Sequence, residues 1–370
     1  MRDLTRIKRV VIKVGTNLLS SSDGINRERV AQIVSEVASL HNLGYQVILV
    51  SSGAIGLGAK ALSHTSPVVH IAMRQACAAI GQPILMSAYQ EEFSKHNLIS
   101  SQVLITRSVL NNRTSFKNLR SSVSTLLALG VIPIFNENDA VSTSEIGNVF
   151  GDNDRMSALV ASKIDAELLI LLTDIDGLYT GNPKKDKDAV IIKEVGEITN
   201  EIFSYAKGAG SAFATGGMKT KLLAAQIAQK GGCGTIIASG YEEHAITRIL
   251  RGEELGTYIL PEHRLAQRER WIINTPAQGR IIVDDGAKHA LVNLHKSLLP
   301  SGIRHVEGIF AAGDVVEIAT ADGVFMKAVP YFNSTDLAII QGHNSTDIEN
   351  LLGKGRKEII FRPEDTAIIE

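Results

Sequence analysis

From the N-terminus to about residue 260, short runs rich in β-branched residues alternate with amphipathic stretches. The runs are 9–14, 46–51, 102–106, 131–136, 168–173 and 235–238. They are apolar at nearly every position instead of every second one, the mark of strands covered on both faces. Such a chain is expected to form an α/β fold in which an open, mostly parallel sheet is sandwiched by helices. Between the first two runs, Val30, Ile33, Val34, Val37 and Ala38 recur at helical spacing, with Asn26 placed as N-cap and Gly44 as the stop.

The pattern changes near residues 261–270, where Glu262, His263, Arg264, Arg268, Glu269 and Arg270 crowd together without periodicity. Residues 1–260 therefore read as one domain and 261–277 as a linker. Residues 278–356 read as a small β-rich domain, and 357–370 as a tail. In the small domain the runs 280–283, 303–307, 314–320 and 324–329 are short and closely spaced, with Ala321-Asp322-Gly323 as a turn. A length of 370 residues is enough for two or three such units, each with its own core.

Lys and Arg number 38 against 39 Asp and Glu, so no global field draws the chain to nucleic acid or anionic lipid. The longest apolar run, 168–172, is far too short to span a bilayer. The first residues are charged, and Lys13 interrupts the apolar stretch that follows, which is unlike a secretory signal. Cys77 and Cys233 are too few for a disulfide framework. These features together predict a cytoplasmic protein with no membrane association.

The residues that carry chemistry gather after the strands, at the edge where open α/β sheets bind ligands. Lys13 lies inside the first run, just before Gly15-Thr16-Asn17. A lysine on a buried strand either meets an anion or runs its stem out along the sheet edge. After the second run, Ser51-Ser52-Gly53-Ala54-Ile55-Gly56-Leu57-Gly58 makes a glycine-rich entry to a helix, suited to an anion or simply to a tight turn. It fits neither the dinucleotide fingerprint nor a P-loop. Asn136-Glu137-Asn138-Asp139 follows the fourth run and Gly151-Asp152-Asn153-Asp154 opens the next helix. These side chains suit a polar substrate pocket, although turns and caps favour the same residue types.

Leu172-Thr173-Asp174 ends the fifth run, and Thr215-Gly216-Gly217-Met218-Lys219-Thr220-Lys221 opens a helix with two glycines and two lysines. Free amide N–H groups at a helix start beside a flexible cation make a phosphate cradle; the alternative is a glycine-rich surface loop before a solvated face. None of the ten histidines falls in these clusters, and no metal-ligand spacing occurs.

In this order the segments resemble the amino acid kinase superfamily and, within it, the glutamate 5-kinase family. They are Val-Ile-Lys-Val-Gly-Thr, Ser-Ser-Gly-Ala-Ile, Asn-Glu-Asn-Asp-Ala-Val, Gly-Asp-Asn-Asp, Leu-Thr-Asp-x-x-Gly-Leu-Tyr and Thr-Gly-Gly-Met-x-Thr-Lys. The C-terminal part is similar to a PUA domain through residues 279–287, 298–303 and 313–316. One departure stands at Gly181-Asn182-Pro183, where the family usually has Ala-Asp-Pro.

The resemblance implies transfer of the ATP γ-phosphoryl group, with Mg²⁺, to the side-chain carboxylate of L-glutamate, the first step of proline biosynthesis. It implies that Lys13 and Lys221 contact the phosphates and that Asp154 holds both lysines. Ser52, Asp139 and Asn153 would bind glutamate. Thr173, Asp174, Thr215, Gly216, Gly217, Met218, Lys219, Thr220 and Lys221 would bind ATP. It further implies feedback inhibition by proline, a homo-oligomer, and hand-over of the product to a glutamyl phosphate reductase.

The residue chemistry agrees independently. A carboxylate nucleophile, with an ordinary pKa of about 4.3, is already ionised and needs no general base, so histidine is dispensable. What the reaction needs is positive charge on the transferring oxygens. The nearest rival readings are an amino acid kinase with another acceptor (aspartate, acetylglutamate or a nucleoside monophosphate) and an RNA-binding role for the small domain. Residues 278–356 carry 7 basic and 9 acidic side chains, a net of −2, which argues against RNA as partner.

Overall fold

The computed structural model describes residues 1–21, 24–64, 66–141, 153–183, 186–206, 217–262 and 267–369. Two compact units divide the chain, Met1–Arg264 and Leu265–Glu370.

In the first unit, eight described strands form one sheet. They are β1 (Arg9–Val14), β2 (Gln46–Ser51), β3 (Ser100–Ile105), β4 (Ile132–Glu137), β5 (Leu168–Thr173), β6 (Glu194–Val195), β7 (Gly234–Ser239) and β8 (Thr257–Ile259), in the order β3-β4-β2-β1-β5-β7-β8-β6. All neighbours run parallel except β7 and β8. The open, mostly parallel sheet expected from the apolar runs is present, and each expected run falls within two residues of an observed strand.

Alternation along the strands explains why they are apolar throughout. Val10, Ile12 and Val14 point to one face, where Val30, Ile33, Val34 and Val37 of helix α1 (Arg27–Asn42) cover them. Val11, Ile48, Val50, Leu169 and Leu171 point to the other face. Asn26 caps α1 as expected, accepting from the Arg29 N–H at 3.0 Å, and Gly44 follows the helix with φ +89°.

Two more helices bear on the site. Helix α2 (Ala54–Ala61) begins directly after β2, across a left-handed turn at Gly53 (φ +104°). It crosses helix α3 (Ile71–Lys95) backbone to backbone. A Cβ on Gly58 would stand 1.8 Å from the Cys77 carbonyl oxygen, and one on Gly81 the same distance from that of Ala54. Only glycine permits this approach, which brings the middle of α3 beside the carboxyl end of β2.

The second unit has its own sheet and core. Strands β9 (Gly279–Val283), β10 (Ile303–Gly308), β11 (Val316–Thr320), β12 (Gly323–Ala328) and β13 (Thr366–Ile368) lie in the order β10-β9-β11-β12-β13. Ile281, Val316, Ile318, Leu337, Ile360 and Phe361 are among the residues that fill the interior. The stretch expected as a linker contains a helix, Gln267–Asn274, whose charged sequence hides the buried pair Trp271 and Ile272. Lys327 Nζ, on β12, donates to the carbonyls of Ile273 and Thr275, each at 2.9 Å. The stretch expected as a tail contains β13, which is too short for periodicity to signal. Its strand character comes from pairing with β12.

Candidate active site

Lys13 is the last residue but one of β1, in register between Val50 of β2 and Leu171 of β5. It shares the face of Val11, so its stem runs through apolar neighbours, and the residue is only 8% exposed. Leaving that ammonium unpaired would cost several kcal/mol, on the order of the penalty for any buried ion. Its partner is Asp154, in the first turn of helix α4 (Asn153–Lys163), with Nζ 2.8 Å from Oδ1.

The other Asp154 oxygen is shared. Lys221 Nζ donates to Oδ2 at 3.2 Å and Thr220 Oγ1 lies 3.1 Å from it. Both belong to the first turns of helix α5 (Met218–Lys230), which starts after Gly217. Burial alone would raise the Asp154 carboxyl, but the ammonium charges of Lys13 and Lys221 outweigh it and hold the group at about 2. Two buried ammonium groups thus share one buried carboxylate at the carboxyl rim of the sheet. Such an arrangement attracts an anion and can neutralise charge that develops on it.

Beside this cluster runs a chain of buried amides. Asn153 Nδ2 is within hydrogen-bond distance of three acceptors: Ser51 O (2.8 Å), Ser52 Oγ (2.9 Å) and Asn136 Oδ1 (3.1 Å). Asn136 Nδ2 donates to Gln82 Oε1 on α3 at 2.7 Å, and Ser51 Oγ meets Tyr89 OH at 3.2 Å. Asp139 lies near Gln82 in a pocket also lined by Ala78, Pro83, Glu137 and Asn138. Burial, and then the carboxylate of Glu137, push the Asp139 carboxyl up to about 7, against the lowering pull of Arg74.

At the end of β5, Thr173 Oγ1 donates to Asp174 Oδ1 at 3.1 Å, and Asn17 Nδ2 donates to Oδ2 at 2.9 Å. Burial tends to raise the Asp174 carboxyl. These bonds, with the charge of Lys221, bring it below the usual carboxylate range.

The residues singled out from sequence therefore fall into connected groups. Lys13, Asp154, Thr220 and Lys221 form one, Ser52 and Asn153 a second, Thr173 and Asp174 a third. Met218 is buried and Lys219 exposed at the start of α5, after Gly217. No hydrogen bond among the described residues joins Asp139 to Ser52 or Asn153; Gln82 connects them through the shared pocket and Asn136. Gly151, Asp152, Thr215 and Gly216 lie outside the described residues. Gln82 and Tyr89 escaped sequence reasoning because single polar positions on a long helix carry no pattern. Asn136 stood inside a noted cluster, but nothing there distinguished it from its neighbours.

Residues 8–239 match the model of the amino acid kinase family, and residues 279–352 that of the PUA domain. A glutamate 5-kinase of Methanococcoides burtonii is 46% identical over 98% of this chain and 97% of its own length. Those of Methanosarcina barkeri (43%; 99% and 98%) and Trichlorobacter lovleyi (44%; 95% and 94%) are similar over nearly as much. The paired lysines on one aspartate, at the rim of a parallel sheet, thus sit in a chain that belongs to the amino acid kinase family.

Proposed function

We propose that this protein transfers the γ-phosphoryl group of ATP to the side-chain carboxylate of L-glutamate, the glutamate 5-kinase reaction. The observation that carries this reading is the pair of buried ammonium groups, Lys13 and Lys221, held together on Asp154. A carboxylate oxygen attacks the γ-phosphorus, the bond from phosphorus to the β,γ-bridging oxygen breaks, and ADP leaves with that electron pair. No proton moves, so no general base is required. ATP enters as its Mg²⁺ complex, with the metal as part of the substrate.

In this reading Lys13 and Lys221 bind the phosphates and gain strength as charge gathers on the transferring oxygens. Asp154 is a positioning residue that fixes both ammonium groups. Ser52, Asp139 and Asn153 hold glutamate. Thr173, Asp174 and residues 215–221 hold the nucleotide, helped by the backbone N–H groups at the start of α5.

The reading extends to partners. Proline carries the same α-amino carboxylate as glutamate and so fits as a feedback inhibitor at the glutamate pocket. An acyl phosphate is labile in water, which favours hand-over to a glutamyl phosphate reductase. The acidic balance of the second unit fits a role in homo-oligomer assembly or regulation better than RNA binding. No helix among the described residues is long and apolar enough to cross a membrane, and we assign the protein to the cytoplasm.

The test is an assay with glutamate, ATP and Mg²⁺ in which hydroxylamine traps the acyl phosphate. Hydroxamate that requires both substrates and falls when proline is added supports the reading. Hydroxamate formed only from aspartate or acetylglutamate, or ADP released only with a nucleoside monophosphate, would overturn it.

A further inference from the structure

Three buried polar atoms, Asn153 Oδ1, Asp139 Oδ1 and Gln82 Nε2, have no hydrogen-bond partner among the described residues. Their residues are 5%, 7% and 8% exposed, so water does not freely serve them. An orphaned buried polar atom costs about 1–3 kcal/mol, and a site accepts that cost where a ligand will supply the partner. Two of the atoms accept and one donates. Gln82 and Asp139 line the same pocket.

The orientation of Gln82 is not free. Its Oε1 is engaged by Asn136 Nδ2 at 2.7 Å. Asn136 is itself locked, because its Oδ1 accepts from the Glu137 N–H at 2.9 Å and from Asn153 Nδ2 at 3.1 Å. Turning the Gln82 amide over would set two N–H groups against each other. The relay therefore fixes Nε2 as a donor.

An ionised amino acid offers one cluster of donors, its α-ammonium, and one acceptor group on the same carbon, its α-carboxylate. Readers of two groups on one carbon must share a pocket, and must be of opposite hydrogen-bond character. Resting on the glutamate reading above, we propose that Gln82 is a substrate-contacting specificity residue that donates through Nε2 to the α-carboxylate of the acceptor amino acid, while Asp139 takes the α-ammonium. Asn136 acts through Gln82 and is a positioning residue. The reacting carboxylate is left for the lysines.

The experiment compares L-glutamate with L-isoglutamine, whose α-carboxylate is an amide but whose side-chain carboxylate is intact, in wild type, Gln82→Glu and Gln82→Met. Gln82→Glu keeps an acceptor for Asn136 and replaces the donor with a negative acceptor. It is expected to lower kcat/KM for glutamate at least tenfold, through KM with kcat nearly unchanged, and to swing the preference toward isoglutamine. Gln82→Met should shrink the preference for glutamate without reversing it. An active wild type whose glutamate-to-isoglutamine ratio stays the same in both variants overturns the role of Gln82 alone, as does a loss confined to kcat. A wild type that forms no acyl phosphate from glutamate overturns the parent reading, and this one with it.

Discussion

At the scale of single residues, the site is decided by which charges are buried together. Lys13 and Lys221 share Asp154, and their ammonium groups matter most when phosphate charge builds up. A charge pair 4 Å apart at an effective dielectric near 20 is worth roughly 4 kcal/mol, so Lys13→Ala or Lys221→Ala should lower kcat on the order of a thousandfold. The KM for glutamate should change far less. Steady-state kinetics with only a KM effect would remove the lysines from phosphoryl transfer.

Asp139 behaves differently because its carboxyl is pushed up to about 7. Only the ionised form pairs with an ammonium, so the glutamate KM should fall as pH rises from 6 to 8, by up to about tenfold per unit below the pKa. The sign for folding is opposite. A carboxyl raised in the folded state contributes stability below the ordinary carboxylate pKa, and that contribution is lost as pH rises through 7. Asp139→Asn should therefore raise KM, flatten its pH dependence and leave the protein no less stable at pH 8. A variant that keeps both its KM and its pH profile would take Asp139 out of the substrate pocket.

At the scale of elements, the crossing of α2 and α3 brings Gln82 toward the end of β2. Gly58 and Gly81 are positions where any Cβ would overlap a carbonyl of the other helix. Gly58→Ala must push the helices apart and should destabilise the first unit by about 1–3 kcal/mol, read from the denaturant midpoint. Because α3 carries Gln82, the same change should raise the glutamate KM. A midpoint and KM equal to wild type would mean that the contact yields freely. Nothing in the segment Gly56-Leu57-Gly58 reveals such a contact, since a phosphate-binding turn and a helix crossing call for the same residue.

At the scale of the whole molecule, each unit has a core of its own, but the second extends further in sequence than its composition suggests. Ile360, Phe361 and Ala367 are fully or nearly buried, and β13 pairs along β12. Removing residues 357–370 strips a buried phenylalanine, whose loss alone is worth about 3–5 kcal/mol, from a unit with about 5–15 kcal/mol in total. Calorimetry of the truncated chain should lose the transition of the second unit and keep that of the first. Retention of both would mean that these residues contribute little to folding.

The apolar runs were enough to determine the parallel sheet, because strands covered on both faces can tolerate little else. Glycine, asparagine and lysine at the strand ends marked the rim where ligands bind. The periodic spacing of α1 and its Asn26 cap were legible for the same local reason: the signal lies within one turn of the residues it describes. What sequence could not decide was pairing across distance. Lys13 and Lys221 lie 208 positions apart, and only the packing of α4 and α5 together on one face of the sheet brings both to Asp154. The Gln82–Asn136–Asn153 relay is likewise drawn from three elements, and no stretch of chain contains its hydrogen bonds. Local pattern determines what a segment can become, whereas the partner of a buried charge or amide is decided by packing, which brings together residues that the sequence keeps apart.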